Sequence, residues 1–336
     1  LKFTPRFPVA VVSPPNPPTI FTFLSIPCRY LHHKPPRRQD AAAMGLANLA
    51  AGLMLWAAWM PALRANFTLP SDPGMMELAE KFQDFMAKFG KTYNSQEEMI
   101  YRFKVFAQNM ETSQVLQDTE LGTAQYGITP FSDLTESEFA KKFGNPVLQA
   151  VPFGLTEPPR SFMAAPQFCD WRKKGLSPVK AQVSVDREKV LDCTYRSREG
   201  CLGGYVWDAF QYVFNNSGLV SSALYPYIAE NHRCLKFKKQ ILTKIDGYSV
   251  LPRDEKYIAN MVATQGPVTA LINQKHLQHY RNGIIQRSKV GCDPNWLDHA
   301  VLIVGFGEGK VRRGTWSGSY WIIQNSWGKH WGEEVG

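Results

Sequence analysis

The sequence is poor in cysteine, with six among 336 residues, and it contains no Cys-x-x-Cys or His-x-x-x-His spacing. We therefore expect no metal site and no cofactor. Proline and glycine together contribute only 48 residues, which excludes collagen-like and low-complexity classes. The hydrophobic share of 44% is instead sufficient for a folded core.

Acidic residues are scarce only at the start of the chain. Residues 1–43 contain six Lys or Arg against a single acid, Asp40, while the remainder has 32 basic against 28 acidic residues. The formal charge of +9 is thus mostly a property of the first segment. A general basic surface is not indicated, and we expect no nucleic-acid partner.

Uncharged residues dominate the segment that follows Met44. Residues 46–63 form an uncharged run, and small residues lead up to Ala65. The pattern predicts a signal peptide over 44–65, with a signal anchor as the alternative. Residues 1–43 are then interpreted as translated upstream sequence. Entry into the secretory pathway would make the sequons at Asn66 and Asn215 available for glycosylation.

Helical periodicity follows over residues 66–145. The first helix is predicted from apolar residues at i, i+3, i+4 and i+7, namely Phe82, Phe85, Met86 and Phe89. Gly90 is predicted to end it. Ser95 and Glu98 predict a capping box at the start of a second helix, and Glu98 is expected to pair with Arg102 one turn later. Residues 146–166 have no periodicity and many breakers, so they are interpreted as a linker.

The same helical region resembles the prosegment of papain-family cysteine peptidases. Its second helix carries the spaced residues Glu98, Arg102, Phe106, Asn109 and Gln117, and a later element carries Gly127, Phe131 and Asp133. Ser113 stands where the family usually has Ala, and Thr129 stands where it has Asn. The resemblance implies that residues 66–145 are an inhibitory prosegment, which folds onto the catalytic domain and blocks its cleft.

Three stretches of residues 167–336 resemble the peptidase domain of the same family. They are SPVKAQ ending at Gln182, LDHAVLIVGFG containing His299, and YWIIQNSWG containing Asn325. The resemblance implies that Gln182 contributes to the oxyanion hole, that His299 is the general base and that Asn325 orients it. Trp327 would shield their hydrogen bond. The implied fold is α+β and papain-like, with a helical lobe packed against a β-barrel-like lobe.

The nucleophile of this family is the residue that we do not find. Gln182 is followed directly by a stretch that resembles the segment beyond the catalytic helix, and Cys193 lies only 11 positions later. A helix of about 12 residues with its turns does not fit there. We interpret the domain as internally deleted after Gln182 and truncated at its C-terminus. Cys169 lies upstream of Gln182 and lacks the family's Cys-Gly-Ser-Cys-Trp context.

The resemblance also assigns the remaining cysteines. It implies a disulfide between Cys193 and Cys234, and it leaves Cys201 and Cys292 as structural cysteines whose partners are missing. Without Cys28 of the first segment, five cysteines remain, an odd number in an oxidising compartment. The odd count agrees with the predicted internal deletion and the predicted C-terminal truncation, since each would remove the partner of one cysteine.

The sequence thus predicts a zymogen of a cysteine endopeptidase that acts on peptide or protein substrates, with this chain inactive. It is expected to be monomeric, to lack a membrane span after signal removal, and to reside in the lysosome, the endoplasmic reticulum lumen or the extracellular space. A catalytically dead homologue that binds peptides or sibling proteases is one alternative, and a prosegment-type inhibitor is another. Without the central helix, we expect the helical lobe not to fold stably, because five buried apolar side chains contribute about 8 to 15 kcal/mol.

Overall fold

The computed structural model describes residues 2–3, 11–13, 73–144, 164–174, 192–194, 204–216, 218–220, 234, 241–243, 245, 247–286, 296–310, 317–328 and 330–333. The chain divides into two compact units, Tyr30–Met99 on one side and Leu1–Arg29 with Ile100–Gly336 on the other.

The unit Tyr30–Met99 contains helix α1, Pro73–Phe89. Phe82 and Phe85 are buried and their rings stack 5.9 Å apart. The helix ends at Gly90, whose φ of +61° is the left-handed conformation that glycine adopts without steric cost. The predicted helix and its predicted end are therefore confirmed.

Helix α2, Gln96–Asp118, begins in this unit. Ser95 Oγ accepts from the Glu98 main-chain N–H at 3.1 Å, as predicted for the helix cap. The Glu98 carboxylate accepts from the main-chain N–H of Asn94, one residue before the cap, at 2.9 Å. The predicted cap is confirmed, but its reciprocal bond is shifted by one residue.

The second unit contains the rest of α2 and helix α3, Glu136–Phe143. Arg102 forms an ion pair with Glu138 at 2.9 Å, so the predicted pair between Arg102 and Glu98 is wrong. The reason is the chain path, which places the start of α3 beside α2. Glu138 also completes a capping box with Thr135, which fixes the first turn of α3.

The main sheet of the second unit has eight strands among the described residues. They are β1 Lys2–Phe3, β2 Val11–Ser13, β4 Cys169–Asp170, β7 Ser249–Leu251, β8 Val268–Ile272, β10 Ile284–Ile285, β11 His299–Lys310 and β12 Ser317–Gln324. Their order is β10-β1-β12-β11-β8-β2-β7, and β4 also pairs with β11. The two longest strands, β11 and β12, are antiparallel neighbours.

Two smaller strand pairs accompany the main sheet. Strand β3, Gln125–Tyr126, pairs with β9, Tyr280–Asn282, and thereby connects the prosegment to the peptidase domain. Strand β5, Leu219–Val220, pairs with β6, Ile241–Thr243. Two strands of the main sheet, β1 and β2, come from residues 1–43, the segment interpreted as translated upstream sequence. The boundary between this segment and the predicted signal peptide stays a prediction.

One hydrophobic core extends from the main sheet into the prosegment. Buried residues of β8, β11 and β12 pack with Phe131, Phe139 and Phe143 of the prosegment. Helix α5, Glu255–Thr264, adds Ile258 and Val262 to the same core. A second core forms around helix α4, Val206–Asn215. The predicted α+β class is confirmed.

The predicted signal peptide, residues 44–65, lies outside the described residues. Within the described part of the chain, no helix combines the length and the hydrophobicity that a membrane span requires.

Candidate active site

The site forms where one long strand begins and its neighbour ends. His299 is the first residue of β11, and Asn325 directly follows β12. Because the two strands are antiparallel, the start of one lies beside the end of the other. The structure thus brings together the two residues that the sequence separates by 26 positions, and His299 Nε2 lies 2.9 Å from Asn325 Oδ1.

This hydrogen bond determines which ring nitrogen of neutral His299 carries its hydrogen. An amide oxygen can only accept, so the hydrogen lies on Nε2. The main-chain N–H of Ser326 donates to the same Asn325 oxygen at 2.7 Å and holds the amide in place. The hydrogen bond is the one that the orienting role expected of Asn325 requires, and the catalytic roles of both residues stay predictions.

Aromatic rings shield the pair from water. Trp327 stacks on the His299 ring with 4.7 Å between their centroids. Around Trp327 lie Phe131, Phe139 and Phe143 of the prosegment, each with its centroid within 5.6 Å of the Trp327 ring. His299 is completely buried as a result.

The prosegment also supplies a polar neighbour to His299. The main chain of Phe143, the last residue of α3, lies near the imidazole and acts to raise the pKa of His299. The main-chain N–H of the next residue, Gly144, bonds to Ala140 and closes the helix. His299 thus bonds to Asn325 and lies near the end of the prosegment helix. Sequence reasoning missed Phe143, because a main-chain group gives no signal in residue type.

Burial controls the protonation of His299. It lowers the pKa of His299 to about 4, against the opposing effects of the hydrogen bond that the ring donates to Asn325 and of the nearby Phe143 main chain. The imidazole is therefore neutral at neutral and mildly acidic pH. An active papain-type site needs an imidazolium, which a neighbouring thiolate anion stabilises.

Asp298 and Gln274 complete the polar surroundings. Asp298 Oδ1 accepts from the Gln274 main-chain N–H at 2.9 Å. Burial raises the pKa of the Asp298 carboxyl group. Gln274 is 1% exposed and follows the end of β8. No sequence pattern indicated Gln274, since a single glutamine after a strand is common.

The described cysteines lie away from His299 or form a disulfide. Cys169 is buried in β4 and pairs with Phe306 of β11. Phe306 is seven residues from His299, about 23 Å along an extended strand. Cys193 and Cys234 form the predicted disulfide, which is confirmed. None of these three sulfur atoms is therefore placed to attack a substrate beside His299.

Several predicted site residues lie outside the described residues. They are Gln182, Cys201, Cys292 and Asn66. The second predicted glycosylation site, Asn215, is exposed at the end of α4.

Two family patterns match the chain. The pattern described as papain family cysteine protease matches residues 173–335. The pattern described as cathepsin propeptide inhibitor domain (I29) matches residues 82–139. The second match lies within the segment predicted as the prosegment.

Among known proteins, the chain is similar to cathepsin W of Mus musculus, with 36% identity covering 86% of this chain and 89% of that protein. Cathepsin W of Felis catus is 37% identical over 78% of this chain and 82% of that protein. Cathepsin F of Mus musculus is 36% identical over 79% of this chain and 62% of its own length.

Solved structures of proenzymes share the fold. Digestive procathepsin L2 from Tenebrio molitor larval midgut superimposes with a TM-score of 0.65 at 26% identity, over 76% of this chain and 91% of that chain. A recombinant stem bromelain precursor gives a TM-score of 0.62 at 26% identity, over 76% and 89%. The predicted papain-like architecture with a preceding prosegment is thereby confirmed.

Proposed function

The chain belongs to the papain family of cysteine proteases, and we propose that it is a cathepsin W-like zymogen that cannot hydrolyse peptide bonds as its sequence stands. It retains the general base and the residue that orients it, but it lacks the thiol that would attack the substrate. Proteases of this family act on peptide or protein substrates. We assign this chain to the secretory pathway, including the lysosome.

The observation that carries the proposal is the surroundings of His299. In the family, a cysteine thiolate attacks the peptide carbonyl, and the histidine then protonates the departing amine. Here the imidazole bonds to Asn325 and lies near the Phe143 main chain, and none of the described cysteines is placed beside it. Neither of these two neighbours can act as the nucleophile.

The comparison with mouse cathepsin W supports a deletion. The alignment extends over 332 positions, whereas the matched 86% of 336 residues is about 289 residues. About 43 aligned positions therefore have no residue in this chain. The direct junction of Gln182 with a stretch that resembles the region beyond the catalytic helix gives the place of the loss.

A thiol-directed active-site probe tests the proposal on the purified full-length chain. We expect no labelling and no peptide hydrolysis, and the same result for Cys169→Ser. The positive control is a chain with an inserted segment between Gln182 and Val183 that carries the family's Cys-Gly-Ser-Cys-Trp motif and catalytic helix. The matched control carries the same insertion with serine in place of its nucleophile.

Labelling of the unmodified chain that disappears in Cys169→Ser would contradict the proposal. Sequencing of the transcript across the codons for Gln182 and Val183 tests the origin of the deletion. A longer message with an intervening segment indicates an active parent enzyme, whereas an uninterrupted junction in abundant message favours a genuine inactive isoform.

A further inference from the structure

The short 3-10 helix Leu277–His279 lies against the prosegment. Gln278 is 1% exposed, and its side chain donates to the carbonyls of Phe131 at 3.1 Å and Leu134 at 2.7 Å. Its own main-chain carbonyl accepts from Thr129 Oγ1 at 2.6 Å. Both the side chain and the carbonyl of Gln278 are thus engaged by the prosegment.

The next residue, His279, also makes two contacts with the prosegment. Its main-chain carbonyl accepts from the Gly127 N–H at 2.9 Å, and its ring Nδ1 lies 3.2 Å from Ser113 Oγ. Ser113 donates its single hydroxyl hydrogen to the Asn109 carbonyl at 2.7 Å. The Ser113 oxygen must therefore accept from His279, which places the hydrogen of the neutral ring on Nδ1.

The two hydroxyl residues of this contact are the two positions where the prosegment departs from the family motif. Ser113 replaces Ala, which has no atom that could accept from His279. Thr129 replaces Asn, which has a longer side chain, at a position that is only 2% exposed. Ser113 contacts His279, and Thr129 contacts Gln278, the adjacent residue of the same 3-10 helix. Both departures from the motif therefore lie at one contact surface.

We propose that Gln278 and His279 form a recognition element that selects a prosegment with hydroxyl side chains at positions 113 and 129. A prosegment with Ala and Asn at these positions docks less firmly, because it leaves the buried Nδ1–H without an acceptor and lacks the Thr129 hydroxyl. The recognition element lies outside the contact of His299 with Asn325 and does not depend on whether the chain is active.

Hydrogen exchange of the full-length chain measures docking, because amides at this interface exchange when the prosegment opens locally. The readout is the exchange rate of peptides that cover residues 124–134, at neutral pH. Ser113→Ala is expected to raise this rate about tenfold, equivalent to about 1.4 kcal/mol. The double variant Ser113→Ala with His279→Phe should return to within about threefold of the wild-type rate, since an apolar pair leaves no polar group unsatisfied.

Thr112→Ala is the matched control on the same helix. Thr112 is exposed, and its hydroxyl donates to the Gln108 carbonyl at 2.9 Å with the same four-residue spacing as Ser113. We expect less than a twofold change, because only Ser113 meets His279. Thr129→Asn, which restores the family's residue, is expected to raise exchange about tenfold or more.

Equal effects of Ser113→Ala and Thr112→Ala would overturn the proposal, as would a double variant that exchanges faster than Ser113→Ala alone. If Thr129→Asn does not accumulate as folded protein, the comparison of Ser113→Ala with the double variant Ser113→Ala and His279→Phe tests the proposal. A different result would contradict the proposed inactivity. In that case the active-site probe would label the chain, while the hydrogen-exchange rates would stay unchanged.

Discussion

Two buried histidines with different partners lie at the interface between the prosegment and the peptidase domain. Burial lowers the pKa of both His299 and His279 to about 4, and the neighbouring His276 contributes to the shift at His279. His299 donates to the Asn325 amide oxygen, whereas His279 bonds to the Ser113 hydroxyl. Both rings are therefore neutral in the folded chain at neutral pH.

The first prediction concerns the pH dependence of stability. A histidine whose pKa falls from 6.5 to about 4 on folding binds its proton more strongly in the unfolded chain. Its stabilising contribution is therefore present above pH 6.5 and is lost as the pH falls from 6.5 towards 4, by up to about 1.4 kcal/mol per pH unit. We expect His279→Phe to reduce the slope of unfolding free energy against pH by about half, since His299 keeps its own contribution.

Urea denaturation at pH 7, 6 and 5 gives that slope for both chains. Equal slopes of unfolding free energy against pH for the wild type and His279→Phe would contradict the prediction. They would show that His279 does not become protonated on unfolding between about pH 7 and 5.

At the scale of elements, α3 brings the prosegment next to His299. Its first turn is fixed by Glu138, which accepts from the Thr135 N–H at 2.8 Å and pairs with Arg102 of α2. The main chain of its last residue, Phe143, lies near His299. The position of the Phe143 main chain thus depends on how firmly the start of the helix is held.

The second prediction follows from this arrangement. Glu138→Ala removes one half of the capping box and the ion pair with Arg102, so we expect a loss of about 1 to 2 kcal/mol in the free energy of unfolding. The control is Glu136→Ala on the same helix. The exposed Glu136 side chain lies 3.6 Å from Lys275, and its loss should cost below about 0.5 kcal/mol. Equal midpoints of urea denaturation for the two variants would contradict the prediction.

At the scale of the whole molecule, separate hydrophobic cores form at the main sheet and around α4. The sheet core joins β8, β11 and β12 with α5 and the prosegment, and it contains many fully buried side chains. The core around α4 joins Phe210 and Val213 to Leu271 and Ala300 of the sheet, and α4 follows the predicted deletion. We expect the loss of the central helix to weaken the helical lobe first.

The third prediction tests this expectation by limited proteolysis of the full-length chain. Early cleavage should fall within the helical lobe, and the sheet lobe should resist. Insertion of the family's catalytic helix between Gln182 and Val183 should suppress that cleavage and raise the thermal midpoint, because about 8 to 15 kcal/mol of apolar burial returns. Identical cleavage maps for the two chains would refute the prediction.

The sequence by itself determined the features that depend on a few neighbouring residues or on a resemblance to a family. The first helix, its end at Gly90 and the Ser95 cap follow from periodicity and from hydrogen bonds that reach no further than four residues. The resemblance named His299 and Asn325 together, and the antiparallel register of β11 and β12 then accounts for their contact.

Only the tertiary structure decided which partner each polar group chose. Arg102 had an acid one turn away at Glu98, yet the chain path brought Glu138 to it. The approach of the Phe143 main chain to His299 and the Gln278–His279 contact with Ser113 and Thr129 have no sequence signature of their own. The physical reason is that every residue has a main-chain carbonyl, and that a hydroxyl bonds to whichever group the fold places within about 3 Å.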